Sequence, residues 1–224
     1  YFISNRIGSK LNSKGTPSED FWATTKQHRL DTVFSVPYNI DTTTNYGIYG
    51  VNTVANEGNA SIAADKQSLY FTACNRPDGL GYCDIYKTTI QGDKWGRPIN
   101  LGRNVNTEYW ESMPSISPDQ KRLYFISDRP RPGTKSHTDL NIWYSDFDEE
   151  LEEFKPAQYL DDLNTEGKEY SPFIAADGQT LFFASNGHQP LVGGLDFFYS
   201  KFDPDTKHWS KPINLGEPIN TKED

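Results

Sequence analysis

The feature that most constrains this sequence is an internal repeat of about 55 residues. Four Asn-Thr pairs are separated by 54, 58 and 56 residues and begin at Asn52, Asn106, Asn164 and Asn220. A glutamate stands five positions after each of the first three asparagines, as Glu57, Glu111 and Glu169. Self-similarity at such a period is typical of repeat architectures. It predicts one domain over residues 1–224, with copies at about 1–53, 54–107, 108–165 and 166–221. Because Tyr1 starts within a strand-like run, we expect the natural N-terminus to lie upstream.

Each copy divides into four strand-like pieces. They are Pro-x-Ile-x-x-Asp, then Leu-Tyr-Phe, then an Asp-Ile-Tyr type segment, and finally a segment that begins at Trp95, Phe154 or Trp209. The period of two in these segments indicates strands, and no run of 12 or more residues has helical periodicity. Four short strands in about 55 residues match one propeller blade. The sequence therefore predicts an all-β fold, a β-propeller of four-stranded antiparallel blades, with about four repeats from a five- to seven-bladed ring.

Composition excludes several classes of function. The net charge of −9 and the absence of clustered Lys and Arg argue against nucleic acid as a partner. No apolar run approaches the length of a membrane span, so we expect no direct membrane insertion. Motifs for a nucleophile elbow, a zinc protease or a phosphate loop are absent, and the four histidines are far apart. We expect no catalytic residues, no cofactor and no metal site.

Two cysteines, Cys74 and Cys83, close a short loop between two strand-like segments. A hairpin would place them opposite each other, which favours a disulfide and an oxidising compartment. The alternative is a pair of unpaired thiols in a cytosolic chain.

The repeat resembles a known family. Its motifs follow a fixed order: Trp-x-x-Pro-Ile-Asn-Leu-Gly at 95–102 and 209–216, then Asn-Thr, Ile-x-x-Asp, Leu-Tyr-Phe-x-Ser-x-Arg and Asp-Ile-Tyr. This order resembles that of the WD40-like Pro-Asp repeats of TolB-type propellers. The version it resembles most is that of the OmpA-family envelope lipoproteins of Bacteroidota, a group that includes the PorE component of type IX secretion. The resemblance implies a periplasmic, outer-membrane-associated module with other envelope proteins as partners. Peptidoglycan would be contacted only through a flanking domain outside these residues.

Polar residues recur on both sides of the loop between the second and third strands. Acidic or amide residues stand at the start of the third strand, as Asp20, Asp84, Asn141 and Asp196, and arginines at the end of the second, as Arg6, Arg76 and Arg129. In the fourth copy Gly187 occupies the arginine position. We expect structural roles, in which the carboxylate accepts N–H bonds from the loop and pairs with the arginine. Metal binding by these aspartates is the alternative.

The recurring glutamates Glu57, Glu111 and Glu169 precede the innermost strands. Together with Tyr109, Trp110 and Tyr170 they form a candidate binding surface at one mouth of the central channel, where aromatic rings could stack on a sugar or a peptide. The alternative is that each carboxylate bonds to the backbone of an adjacent blade.

These observations favour a non-catalytic protein-binding or scaffolding module. The first copy carries extra segments at 9–19 and 36–51, and long loops on a rigid scaffold often bind partners. We therefore expect removal of residues 9–19 to leave the fold intact. A carbohydrate-binding or glycoside-hydrolase propeller is the alternative, because two carboxylates near the channel would suffice chemically.

Overall fold

The chain forms four antiparallel sheets. The computed structural model describes residues 1–4, 9–12, 14–26, 32–41, 49–134 and 139–222, which contain 18 strands. The first sheet has the order β1 (Phe2–Ser4), β2 (Asp20–Ala23), β3 (Tyr38–Asn39). No helix formed by these residues is both long and apolar enough to cross a bilayer.

The other three sheets have one common plan. The second contains β4 (Glu57–Ile62), β5 (Ser68–Cys74), β6 (Cys83–Gln91), β7 (Lys94–Trp95) and β8 (Ile99–Asn100). The third contains β9 (Glu111–Ile116), β10 (Arg122–Ser127), β11 (Asn141–Asp148), β12 (Glu153–Phe154) and β13 (Gln158–Tyr159). The fourth contains β14 (Glu169–Ile174), β15 (Thr180–Ser185), β16 (Asp196–Asp203), β17 (His208–Trp209) and β18 (Ile213–Asn214). In each, the first four strands lie side by side in chain order, and the fifth pairs with the third strand.

The outermost strand of these sheets is broken into two short pieces. In the second sheet, Trp95 pairs with Ile90, whereas Ile99 pairs with Lys87. Pro98 lies in the gap between the pieces, and Pro212 lies in the equivalent gap of the fourth sheet. Proline has no N–H to donate to a ladder, so it is tolerated at a sheet edge.

The Leu-Tyr-Phe triplet explains how the sheets stack. Successive residues of a strand point to opposite faces, so the triplet serves two interfaces. Leu123 and Phe125 pack toward the second sheet, whereas Tyr124 packs toward the fourth. All three side chains are at most 3% exposed. The core therefore consists of three apolar layers, one between each pair of neighbouring sheets.

An aromatic residue from each broken outer strand fixes the stacking further. Its ring contacts a tyrosine of the preceding sheet, which lies in β5, in β10 or directly before β1, at centroid distances of 6.0–6.2 Å. The pairs are Trp95 with Tyr1, Phe154 with Tyr70, and Trp209 with Tyr124. The three outer-strand rings are only 5–7% exposed. The same contact is thus made at every one of the three interfaces.

The innermost strands β4, β9 and β14 lie beside one another. Ser61 Oγ accepts the Ile116 N–H at 3.1 Å, and Ser115 Oγ accepts the Ile174 N–H at 3.0 Å. Strands of the first sheet do not touch those of the fourth within the described residues. The prediction of an all-β propeller with antiparallel blades is confirmed, and four sheets in an open arc fit part of a larger ring.

We predict that Trp209→Ala lowers the free energy of unfolding by about 3–5 kcal/mol, because a large side chain is removed from a packed interface. Tyr82→Ala, which removes a ring that is 64% exposed, serves as the control and should change stability by less than about 0.5 kcal/mol. Urea denaturation of both variants measures the difference. Equal effects would show that the outer-strand ring does not hold the sheets together.

Candidate functional site: the joint between sheets

The recurring asparagine replaces a missing strand partner at the end of each sheet. Asn106 Oδ1 accepts the Ile85 N–H at 2.8 Å, and its Nδ2 donates to the Ile85 carbonyl at 2.8 Å. The same two bonds, at 2.7–2.9 Å, join Asn52 to Phe21, Asn164 to Ile142 and Asn220 to Phe197. The side-chain amide thus pairs with the backbone where the third strand has no neighbouring strand, and ties the linker to the sheet it has just left.

The threonine that follows ties the same linker to the next sheet. Glu111 accepts both the backbone N–H and the hydroxyl of Thr107, each at 2.7 Å. Glu57 accepts the same pair from Thr53, and Glu169 from Thr165. Each glutamate is the first residue of an innermost strand. Asn-Thr and the distant Glu therefore form one joint, which connects two successive sheets through a linker with no ladder of its own.

The predicted binding surface at the glutamates is wrong. Glu57, Glu111 and Glu169 are at most 1% exposed, and their oxygens accept bonds from the linker. The alternative reading, a carboxylate bonded to neighbouring backbone, is the one the structure has. Trp110 and Tyr170 are half-buried against the layer between the third and fourth sheets, and Tyr109 is half-buried beside them.

The arginines complete the joint. Arg76 and Arg129 contact Glu57 and Glu111 at 3.4 and 3.0 Å and donate to the carbonyls of Val51 and Val105 in the linkers. Arg76 also lies over the rings of Phe71 and Tyr86, at 5.4 and 4.8 Å. The predicted pairing of these arginines with the aspartates of the third strand is therefore wrong. Arg6 lies outside the described residues.

The third-strand aspartates serve the loop, as predicted. Asp84 accepts the N–H groups of Leu80 and Gly81 at 2.7 and 3.3 Å, and Asp196 accepts those of Val192 and Gly193 at 2.5 and 3.1 Å. Asp20 accepts the Lys10 N–H at 2.9 Å. Within the part of the chain that the structure describes, no three Asp, Glu, His or Cys side chains converge as metal ligands would.

At the aspartate position of the third strand, one sheet departs from the repeat but keeps the same contact with different side chains. In the first and fourth sheets the aspartate accepts a bond from an asparagine amide of the outer strand, Asn39 or Asn214, at 2.7 Å. In the third sheet Asn141 replaces the aspartate, and the hydroxyl of Tyr159 donates to its amide oxygen at 3.1 Å. Both members of the pair have changed together.

In the fourth sheet His188, and not Gly187, takes the place of the arginine. Its Nε2 lies 2.8 Å from the Leu163 carbonyl, which corresponds to those of Val51 and Val105. The ring packs at 5.5 Å from both Phe183 and Phe198. Sequence alignment by position missed this residue because the histidine is one place further along the chain.

A disulfide joins Cys74 and Cys83, in agreement with the hairpin interpretation. The loop it closes lies against the next linker, where Cys83 forms a parallel bridge with Trp110. A Cβ on Gly81 would lie 2.1 Å from the Tyr109 carbonyl oxygen. Only glycine allows this approach, so the disulfide-closed loop and the following linker form one surface.

The predicted insertion at 9–19 is part of the first joint. Ser18 is 1% exposed, and its hydroxyl bonds to Asp20, the Lys10 carbonyl and the Thr53 carbonyl. Lys10 Nζ contacts Asp41 at 3.4 Å and donates to the Asn52 carbonyl. Removal of this segment would take away buried partners of Asp20, Asp41 and the linker, so the structure now leads us to expect that its deletion destabilises the first sheet.

Similarity to known proteins is found among solved structures. No model of a protein family matches the chain, and no curated protein sequence matches it. Among solved structures, TolB from Acinetobacter baumannii is similar with 18% identity over 83% of this chain and 38% of its own, at a TM-score of 0.47. A TolB structure from Agrobacterium tumefaciens has 16% identity over 72% of this chain and 52% of its own, at 0.44. The propeller domain of the Trilobed protease from Pyrococcus furiosus has 13% identity over 73% of this chain and 44% of its own, at a TM-score of 0.43. The chain spans about half or less of these proteins, and such likeness concerns architecture alone.

We predict that Asn106→Asp lowers the free energy of unfolding by at least about 1–3 kcal/mol. The variant loses the amide donor to the Ile85 carbonyl and to Asn100 Oδ1, at 2.8 and 2.9 Å, and places a carboxylate oxygen against these two acceptors in a buried site. Asn186→Asp is the matched control, because Asn186 is exposed and accepts the Lys168 N–H through its amide oxygen, which a carboxylate can replace. Thermal and urea unfolding measure both, and an unchanged Asn106→Asp would contradict the role of the amide.

The buried carboxyl of Glu57 gives a pH dependence. Burial raises its pKa from 4.5 to about 7, although Arg76 and the Thr53 donors oppose the shift. A group whose pKa is raised by folding makes its full contribution to stability at pH values below its unfolded-state pKa. That contribution is lost as the pH rises toward the folded-state pKa. We therefore expect the stability of the wild type, relative to Glu57→Gln, to fall between pH 4.5 and 7. Urea denaturation across that range measures it, and a constant difference would refute it.

Proposed function

We propose that this chain is a non-catalytic protein-binding module of the bacterial cell envelope, in the periplasm and associated with the outer membrane. The observation that carries the proposal is a contrast within the repeat. The joints are nearly identical, whereas the loops that surround them differ in length and sequence. Binding residues are often carried on loops that a rigid scaffold positions.

The variable loops all lie at one end of the sheets, which we call the linker face. It consists of the linkers between sheets and the loops between second and third strands. Those loops run over 75–82, 128–140 and 186–195 in the second, third and fourth sheets, with 135–138 outside the described residues. Differences of this kind on one face suit recognition of a particular partner.

The linker face also exposes apolar side chains. They are 40–64% exposed and belong to different loops and linkers: Leu11, Val54, Tyr82, Leu195 and Ile219. Apolar and aromatic side chains form the centres of protein interfaces, and ion pairs form their rims. Arg131 and Glu166 form such a pair at 2.6 Å on the same face. These features support a protein as the partner.

The carbohydrate-active alternative receives less support. It needs two accessible carboxylates near the channel, and the recurring glutamates are buried and bonded to threonine. The cell-envelope setting rests on the disulfide, which suits an oxidising compartment, and on the resemblance to TolB-type and OmpA-family envelope proteins. A role in secretion machinery such as type IX rests on that resemblance alone.

We predict that Tyr82→Ser and Leu195→Ser, alone and together, weaken capture of defined envelope proteins on immobilised chain at least tenfold. Leu151→Ser is the matched control, because Leu151 is 69% exposed in the β11–β12 hairpin at the opposite end of the sheets. Crosslinking and mass spectrometry identify the captured proteins, and unfolding midpoints verify that all variants fold. Equal loss in the control, or release of sugars from envelope glycans by the chain, would overturn the proposal.

A further inference from the structure

A groove on the outer rim lies between the second and third sheets, each of which is covered on both faces by its neighbours. One wall consists of β6, β8 and the residues that follow β8, the other of the β11–β12 hairpin, and the volume between them is about 830 Å³. Ile99, Leu101 and Phe147 give the groove an apolar lining, and Ile99 is 70% exposed. Ligand sites are commonly concave, with an apolar lining, a few polar groups and a volume of about 300–1,000 Å³. The groove therefore has the size and lining of a binding site.

Two cations on the wall of the second sheet are positioned but lack a carboxylate partner. Lys87 Nζ lies 5.4 Å from the centre of the Tyr70 ring, and the Arg97 guanidinium lies 4.5 Å from the centre of the Tyr49 ring. Neither cation forms an ion pair with a residue that the structure describes. Because a cation is attracted to the face of an aromatic ring, both groups are held at the groove with their charge available to an anion.

The wall opposite these cations is acidic. The hairpin contributes Glu149, Glu152 and Glu153 to the groove. Glu149 pairs with Lys121 at 3.0 Å, whereas Glu152 and Glu153 form no ion pair within the described part of the chain. The groove thus presents unpaired positive charge on one wall and unpaired negative charge on the other, on either side of an apolar lining.

The equivalent place between the third and fourth sheets has a different arrangement. The cross-strand pair that corresponds to Lys87 and Ile99 is Tyr144 with Gln158, and the Tyr144 hydroxyl donates to Gln158 Oε1 at 3.0 Å. On the facing hairpin His208 stands in place of a glutamate, and its Nδ1 lies 3.1 Å from a carboxylate oxygen of the third sheet. Those side chains satisfy one another, so the repeat does not require the unpaired charges of the groove.

We propose that this groove binds an extended segment of a partner protein in which a basic and an acidic residue are adjacent and flanked by apolar residues. Successive side chains of an extended chain point to opposite sides, so the basic group reaches Glu152 and Glu153 while the acidic group reaches Lys87 and Arg97. The apolar flanks cover Ile99 and the lining beside it. Packed sheets lie about 10 Å apart, so the amino and carboxyl groups of a free amino acid are too close together to reach both walls.

A short peptide with this pattern tests the groove. Amide signals of the 224-residue chain are followed by NMR while acetyl-Leu-Lys-Glu-Leu-amide is added to about 5 mM, a concentration that detects millimolar Kd values. We expect saturable shifts at Ile99, at Leu101 and in the β11–β12 hairpin. Three matched peptides, in which glutamine replaces the lysine, the glutamate or both, should each bind at least about threefold more weakly, because a charged wall is left without its partner.

Neutral variants of each wall assign each charge of the peptide to its partner. Glu152→Gln combined with Glu153→Gln should remove most of the preference for lysine over glutamine in the peptide and keep the preference for glutamate. Lys87→Gln combined with Arg97→Gln should do the reverse, since a coupling of this kind appears only between groups that interact. Glu150→Gln is the matched control and should leave both preferences unchanged, because Glu150 is exposed in the same hairpin and does not line the groove.

Three results would overturn the inference. One is the absence of saturable shifts at the highest peptide concentration. Another is equal binding of the peptide that carries lysine alone, which would show attraction to an acidic hairpin in place of a site with two charged walls. The third is an equal effect of Glu150→Gln. Tyr82→Ser and Leu195→Ser should bind the peptide as the wild type does, so failure of the groove is distinguishable from failure of the proposed role of the linker face.

Discussion

The structure depends on one problem, which is how a chain leaves one sheet and enters the next without unsatisfied backbone groups. The linker crosses between sheets and has no ladder, yet part of it is buried, as at Val105 and Asn106, and each unpaired buried polar group costs about 1–3 kcal/mol. Asparagine solves the first half of the problem because its side chain carries a donor and an acceptor spaced like those of a peptide. Glutamate solves the second half, because its two oxygens accept the threonine N–H and hydroxyl together. The stacking of aromatic layers then follows from the orientation that the joint imposes.

The fold could be predicted because its two strongest signals are visible directly in the order of residues along the chain. The period of two in Leu-Tyr-Phe requires burial on both faces, and the spacing of Asn-Thr requires equivalent linkers. The role of the glutamates could not be read in the same way. A carboxylate at the start of a strand resembles a surface group in sequence, and its partners Thr107 and Ser127 come from both sides of it along the chain. Burial of a charge depends on the whole set of donors, which only the packed sheets bring together.

The error over the arginines has a similar cause. Arg76 and Asp84 flank one loop, so their closeness in sequence suggested a pair. The carboxylate instead accepts N–H groups of the loop itself. The guanidinium donates to Val51 in the linker that enters the second sheet and lies over the rings of Phe71 and Tyr86. His188 occupies the same space with a ring and a single bond to Leu163. What the position requires is a flat group that reaches a linker carbonyl, and neither a positive charge nor a fixed place in the sequence is needed.

These substitutions also bear on function. A ligand that needed a carboxylate from every sheet would not survive the exchange of aspartate for Asn141, whereas the contact between the third strand and the outer strand survives it because Tyr159 supplies a donor. Tolerance of this kind indicates that the repeated polar residues hold the scaffold and leave recognition to residues that are not repeated. The loops of the linker face begin and end at the joint, so a joint that stays rigid fixes where each loop emerges. Side chains such as Tyr82, between the disulfide and Gly81, are thereby held at set positions on an unvarying frame, and a binding surface can change without a change in the fold.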